Sequence, residues 1–173
     1  MHIRTAAFSE YQAVRAFYHS LIDGTADLPY NAGWIKDVYP APTYLMDCIR
    51  AKELFLGVDG ERIVASMVLN HQYNEGYKEY QWPTKAEDTE VTVIHALGVH
   101  PDFTGKGFAR QLVRFAVDTA RQAGQKAIRL DVLKGNVPAE NLYAAMGFQY
   151  LHTLPMYYED TGWTEYELYE YRL

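Results

Sequence analysis

Cysteine is almost missing from this chain. Cys48 stands alone, so no disulfide can close within it, and a reducing compartment, the cytoplasm, is the expected setting. Long apolar runs are missing too: none approaches the ~20 residues that span a bilayer. The opening Met1-His2-Ile3-Arg4-Thr5 lacks the charged-then-apolar pattern of an export signal. Basic charge is the minority sign, with 16 Lys and Arg against 22 Asp and Glu and a formal net charge of -6. That balance repels a phosphate backbone, which argues against nucleic acid as a partner and leans towards a cationic small molecule. No repeat, low-complexity tract or interdomain linker interrupts the chain, so residues 1–173 read as one domain.

Hydrophobic periodicity supplies the elements. Ile3 to Ala7 reads as a short strand. Ser9 is placed as the N-cap of a helix through Ile22, with Val14, Phe17, Tyr18 and Leu21 on one face. Gly24, Pro29, Gly33, Pro40 and Pro42 mark an irregular loop before a second helix, Tyr44 to Ala51. Strands Leu54 to Val58 and Arg62 to Leu69 flank Asp59-Gly60, which predicts a type I′ hairpin turn. Tyr73 to Glu90 is a long polar and aromatic excursion, and loops of that length often carry function. Glu90 to Val99 is rich in β-branched residues and predicts a strand. Phe108 to Ala123 has amphipathic helical spacing and is closed by Gly124; Ile128 to Leu133 is a strand. A short helix, Ala139 to Met146, and two last strands, Phe148 to Met156 and Thr164 to Arg172, complete a mixed sheet flanked by helices.

The segment joining the strongest strand to the strongest helix is Val99-His100-Pro101-Asp102-Phe103-Thr104-Gly105-Lys106-Gly107-Phe108-Ala109. Small residues at 105, 107 and 109 let backbone approach an anion, and a helix start aims unpaired N–H groups at it. The same glycines also suit a plain strand-to-helix turn. A Walker loop is excluded, because Lys106 is followed by Gly107 rather than Ser or Thr. A dinucleotide fingerprint is excluded by the missing third glycine.

These residues resemble the GNAT superfamily of acetyl-CoA-dependent N-acetyltransferases. The family signature Q/R-x-x-G-x-G/A falls on Thr104 to Ala109, matching at Gly107 and Ala109 and departing at Thr104. A second family pattern, N-x-x-A-x-x-L-Y followed by G-F, is met by Asn136, Ala139, Leu142, Tyr143, Gly147 and Phe148. The resemblance implies an α/β fold: a mixed, mostly antiparallel sheet of six to seven strands, splayed between the fourth and fifth. It implies acetyl-CoA as cosubstrate and an amine as acceptor; no metal is expected, because the odd spacing of His95 and His100 sends them to opposite strand faces and no third ligand suggests itself. The cofactor would lie against Leu97, Gly98, Val99, Thr104, Gly105, Lys106, Gly107, Phe108, Ala109, Asn136 and Tyr143.

Acetyl transfer needs a deprotonated amine, a held oxyanion and a stabilised leaving thiolate. His95 is the candidate base: its ordinary pKa of about 6.5 suits the task, and it lies two residues before Leu97, which on a regular strand shares its face. The alternative is a histidine packed inertly in the sheet. The resemblance makes Tyr143 the candidate acid, pointing at the CoA sulfur, and the Leu97 N–H the simplest oxyanion donor. Tyr30, Trp34, Tyr80, Trp82, Tyr157 and Glu159, with Asp160 beside it, are candidate walls of an acceptor pocket, since aromatics with a carboxylate suit an amine. No activated Ser or Cys suggests an acyl-enzyme, which favours direct transfer. Two other readings stand beside this one: a non-catalytic acyl-CoA-binding module, and an interaction domain whose tail strands pair with a partner. A homodimer is an assembly the sequence leaves open.

Overall fold

Strand β1 (His2–Thr5) leads into helix α1 (Tyr11–Thr25), and a loop connects that to α2 (Pro42–Arg50) in the computed structural model, which describes residues 1–173. The chain continues through β2 (Leu54–Asp59), β3 (Arg62–Asn70), β4 (Val91–Val99), α3 (Phe108–Gln122), β5 (Ala127–Leu133), α4 (Val137–Ala145), β6 (Gln149–Tyr158) and β7 (Gly162–Arg172). Each helix and strand expected from periodicity forms, with its ends shifted. Two local expectations need correction. Ser9 does not cap α1; a turn of 3-10 helix, Phe8–Glu10, precedes it, and the Glu10 carboxylate accepts from the Ala7 N–H at 2.8 Å. The hairpin turn centres on Gly60-Glu61 rather than Asp59-Gly60, because Asp59 still pairs with Arg62. Only Gly60 has positive φ, at 60°, which matches a type II′ turn and not type I′.

The seven strands run in the order β1-β2-β3-β4-β5-β7-β6, and β4–β5 is the one parallel pair. That pair is brief. Val91, Thr92 and Val93 face Ala127, Ile128 and Arg129, after which β5 stays with β7 to Leu133 while β4 continues alone on that side. The sheet is thus splayed between its fourth and fifth strands.

Apolar residues on both faces explain why helices cover both. α3 buries Leu112, Val113, Ala116 and Ala120 against Met67, Ile94, Ile128 and Leu130. On the other face α1 and α2 bury Val14, Tyr18, Leu45 and Ile49 against Leu54, Leu56, Val68 and Ala96. Beyond their reach the excursion between β3 and β4 packs Tyr77 and Trp82 onto Val91, Val93, Tyr166 and Leu168. It is fixed there by a buried ion pair. Arg129 Nε donates to Glu170 at 3.0 Å, Arg129 Nη2 donates to the Thr84 carbonyl, and Glu170 accepts from both the Thr84 N–H and its hydroxyl. No helix is long and apolar enough to cross a membrane.

The α1–α2 loop bends back over the splay. Asp37 accepts from Arg15 Nε at 2.7 Å and lies 2.9 Å from His19 Nε2, both on α1. A Cβ on Gly33 would stand 2.7 Å from Thr161 in the β6–β7 turn, so loop and turn meet closely. The Arg15 and His19 contacts hold the Asp37 carboxyl down at about 2, below its usual 3.8. A depressed carboxylate stabilises the fold above its unfolded pKa and loses that contribution as pH falls through the folded one. Asp37→Asn keeps the left-handed backbone (φ 61) within reach. We expect the variant to melt below the parent at neutral pH. The gap should narrow as pH drops from about 4 towards 2, and melting curves across that range check it.

Candidate active site

The site is built where β4 leaves β5. At Ala96 the strand carries a bulge: Val68 pairs with His95 and Ser66 with Gly98, leaving Ala96 and Leu97 opposite Met67 alone. Ala96 takes φ 48, a left-handed backbone that costs an L-residue roughly 1–2 kcal/mol. The extra residue reverses the alternation. His95 pairs with Val68 and edges the Tyr44 ring, and Ala96 joins the α1–α2 cluster, whereas Leu97 packs into the α3 cluster. His95 and Leu97 therefore do not share a face, correcting the expectation drawn from a regular strand. Tyr18 Oη donates to the Ala96 carbonyl at 2.9 Å. A planar trans peptide points N–H opposite to C=O, so that contact turns the Leu97 N–H away from α1.

An outer groove of about 750 Å³ runs from the start of α3 to the splay. Its floor is Leu97, Gly98 and Val99, its far end is Gly105, Gly107, Phe108 and Ala109, and its sides come from α4 and the α1–α2 loop. Gly107 is the N-cap residue of α3 with φ 75, a conformation open to glycine, and no side chain caps the helix. Its first-turn N–H groups are left for a ligand or water. Thr104 turns its hydroxyl onto the Pro101 carbonyl at 3.0 Å, so that side chain closes the loop. Lys106 lies over the Phe103 ring, with Nζ 4.4 Å from the centroid. Thr104 lines the groove and Lys106 stands exposed beside it.

Beside the groove lies a chamber of about 110 Å³, and Ala32, Trp34, Leu97, Asn136 and Ala139 line both spaces. Tyr143 enters this chamber from α4. It is 6% exposed, packs on Phe148 and Tyr169, and its hydroxyl has no hydrogen-bond partner in the protein. Burial lifts its pKa well above the ordinary phenol range, with the nearby Asp131 charge adding to the effect, so it stays protonated. Asn136 begins α4 with its side chain free of any cap contact. His95 enters from the other side of the sheet. Its Nε2 lies 2.9 Å from the Gln72 carbonyl, an acceptor only, so Nε2 carries the proton and Nδ1 keeps a lone pair. Burial pushes its pKa down to about 4. It is therefore neutral at pH 7, and a much weaker base than an ordinary imidazole.

Among the acceptor candidates, Trp34 lines both spaces, Tyr30 the outer groove and Asp160 the chamber. The other four lie elsewhere. Tyr80 stacks on His152; Trp82 is buried beneath the Arg129 guanidinium, 4.3 Å away, with Nε1 donating to the Tyr77 carbonyl. Tyr157 is exposed beside Trp163, and Glu159 belongs to the β6–β7 turn. What the sequence reading missed is Asp131, on β5, which lines the chamber. Tyr77 donates to its Oδ1 at 2.7 Å, and the Tyr158 hydroxyl lies 3.1 Å from both oxygens. Burial raises the Asp131 pKa against the opposing effect of these two donors. A lone carboxylate in the run Ile128-Arg129-Leu130-Asp131-Val132-Leu133 was the available signal.

The site thus joins a splayed sheet to an uncapped helix start. The family model described as the Acetyltransferase (GNAT) family matches residues 14–148, and the chain belongs to that family. Among solved structures, a GNAT-family acetyltransferase from Streptococcus agalactiae superposes with a TM-score of 0.82 at 17% identity, covering 99% of this chain and 95% of that one. A second, described as yncA from Salmonella typhimurium with its cofactor acetyl-CoA, gives 0.71 at 16% identity, covering 100% and 94%. These likenesses concern the fold. In sequence the chain is 33% identical over 64 residues to the L-amino acid N-acyltransferase MnaT of Escherichia coli, covering 37% of each protein. It is 33% identical over 75 residues to the N-alpha-acetyltransferase RimI of Mycobacterium tuberculosis, covering 43% of this chain and 46% of that one. These alignments therefore span less than half the length of each relative.

Proposed function

We propose that the protein is an N-acetyltransferase that moves the acetyl group of acetyl-CoA directly to a primary amine. One observation carries the reading: two adjoining cavities that share five lining residues have the uncapped start of α3 at the outer end and the unpartnered Tyr143 hydroxyl at the inner one. The pyrophosphate would sit on the α3 N–H groups, favoured by the helix dipole. The pantetheine arm would run along the unpaired side of β4 at Leu97 to Val99, with Asn136 across from it.

The amine nitrogen then attacks the thioester carbon. A C–N bond forms, the C–S bond breaks, and the Leu97 N–H holds the transient oxyanion. The sulfur leaves as thiolate and takes its proton from Tyr143, whose phenolate regains one of the two protons given up by the amine. The ammonium loses one proton before attack and the nitrogen a second after it, which the lone pair of His95 Nδ1 would accept. A weak base suffices for the second, because bonding to the acyl carbon makes that N–H far more acidic. One proton is released overall. Any acidic limb due to His95 should then lie near pH 4, well below an ordinary histidine.

Release of free thiol from acetyl-CoA in the presence of an amine panel tests the reading. Amine-dependent release is the expected result. CoA binding without amine-dependent release would leave a non-catalytic acyl-CoA-binding module.

A further inference from the structure

The chamber's charge inventory bears on which amines enter. Two carboxylates, Asp131 on β5 and Asp160 in the β6–β7 turn, line it, and no Lys or Arg does. The imidazole of His95 is neutral there, and the phenols of Tyr39, Tyr143, Tyr158 and Tyr166 are held protonated by burial. Aromatic faces and carboxylates attract an ammonium group, while a carboxylate finds only neutral donors there and no cation to pair with. The chamber, about 110 Å³, is much smaller than the outer groove. A carboxylate carried beside the amino group would be brought close to Asp131 and Asp160. Asp131 is held for this use. Tyr77, delivered by the excursion, and Tyr158, from β6, fix its carboxylate from two sides.

We propose that Asp131 is the counter-ion for the acceptor's ammonium group, and that the acceptors are cationic primary amines carrying no carboxylate beside the amino group. This rests on the acetyl-transfer reading, but its first test does not need turnover. Calorimetric titration of the CoA-loaded protein would use matched pairs: tyramine with tyrosine, phenethylamine with phenylalanine, and 1,4-diaminobutane with ornithine. Each amine should bind at least about tenfold more tightly than its amino acid. Asp131→Asn should weaken amine binding by about 10- to 100-fold, the size of a lost charge-assisted contact, while the thermal shift given by CoA stays intact. Amino acids binding as well as their amines would overturn the proposal whatever the variant does. An Asp131→Asn protein that keeps the CoA shift and binds amines normally would overturn it too. Selective amine binding without thiol release would instead sink the transfer reaction and leave the acceptor class standing.

Discussion

Gly107→Glu is expected to abolish the rise in melting temperature that CoA should give the parent protein. A ligand at a hundredfold excess over Kd stabilises the native state by about 2.7 kcal/mol, which for a chain of this length corresponds to roughly 5–10 °C. Gly107 heads α3 at φ 75 with open space where a Cβ would go, so a side chain there meets no protein atom. It would meet the pyrophosphate in the proposed cofactor site. Glutamate brings both bulk and negative charge to the place assigned to the pyrophosphate, and repulsion there reverses what the helix dipole supplies. The left-handed backbone adds a folding cost of its own, roughly 1 kcal/mol, visible as a lower melting temperature without CoA. Gly107→Ala carries that cost without the charge and separates the two effects: it should melt low yet keep most of the shift. A full CoA shift in Gly107→Glu would mean that the anion site lies elsewhere.

Tyr143→Phe should lower kcat by about 10- to 100-fold and leave acetyl-CoA affinity within about twofold. The ring packs on Phe148 and Tyr169, and phenylalanine preserves those contacts. Only the hydroxyl disappears, and it has no protein partner to orphan. A hydrogen bond to a group that becomes charged is worth roughly 1.5–3 kcal/mol, and this one strengthens only as the sulfur becomes a thiolate. The loss therefore falls on the transition state and appears in kcat rather than in binding. Because burial lifts the Tyr143 pKa well above the phenol range, no alkaline limb near pH 10 should be traceable to it in the parent. Single-turnover rates, in which product release plays no part, are the measurement. Equal rates in parent and variant would remove Tyr143 from the reaction.

The stretch from Val91 to Phe148 was legible because its signals are local. β-Branched residues mark β4, and a 3.6-residue period marks α3. Gly105, Gly107, Gly124 and Gly147 sit where the backbone turns left-handed, each with positive φ. The illegible parts depend on contacts distant in the chain. Tyr77 reaches Asp131 across 54 residues and Arg129 reaches Glu170 across 41, so neither pair leaves a periodic trace. Trp82 and Tyr80 looked like pocket walls because an aromatic-rich loop suits a binding loop as well as a packed cover. Only the buried Arg129–Glu170 pair beneath the excursion shows it to be a cover there. The bulge was hidden for a different reason. Alanine gives no hint of a left-handed backbone, and alternation counted along the sequence assumes a strand with no added residue.

That bulge also bears on timing. Tyr18 holds the Ala96 carbonyl from within the protein, and the Tyr39 hydroxyl lies beside the same backbone. The Leu97 amide is thereby set in direction before any substrate arrives. Water around a developing oxyanion would have to reorient during each reaction, whereas a dipole already fixed does not. In the proposed reaction the energetic burden of aiming that amide would be met once, when the chain folds, and the surrounding core would carry it through every later turnover.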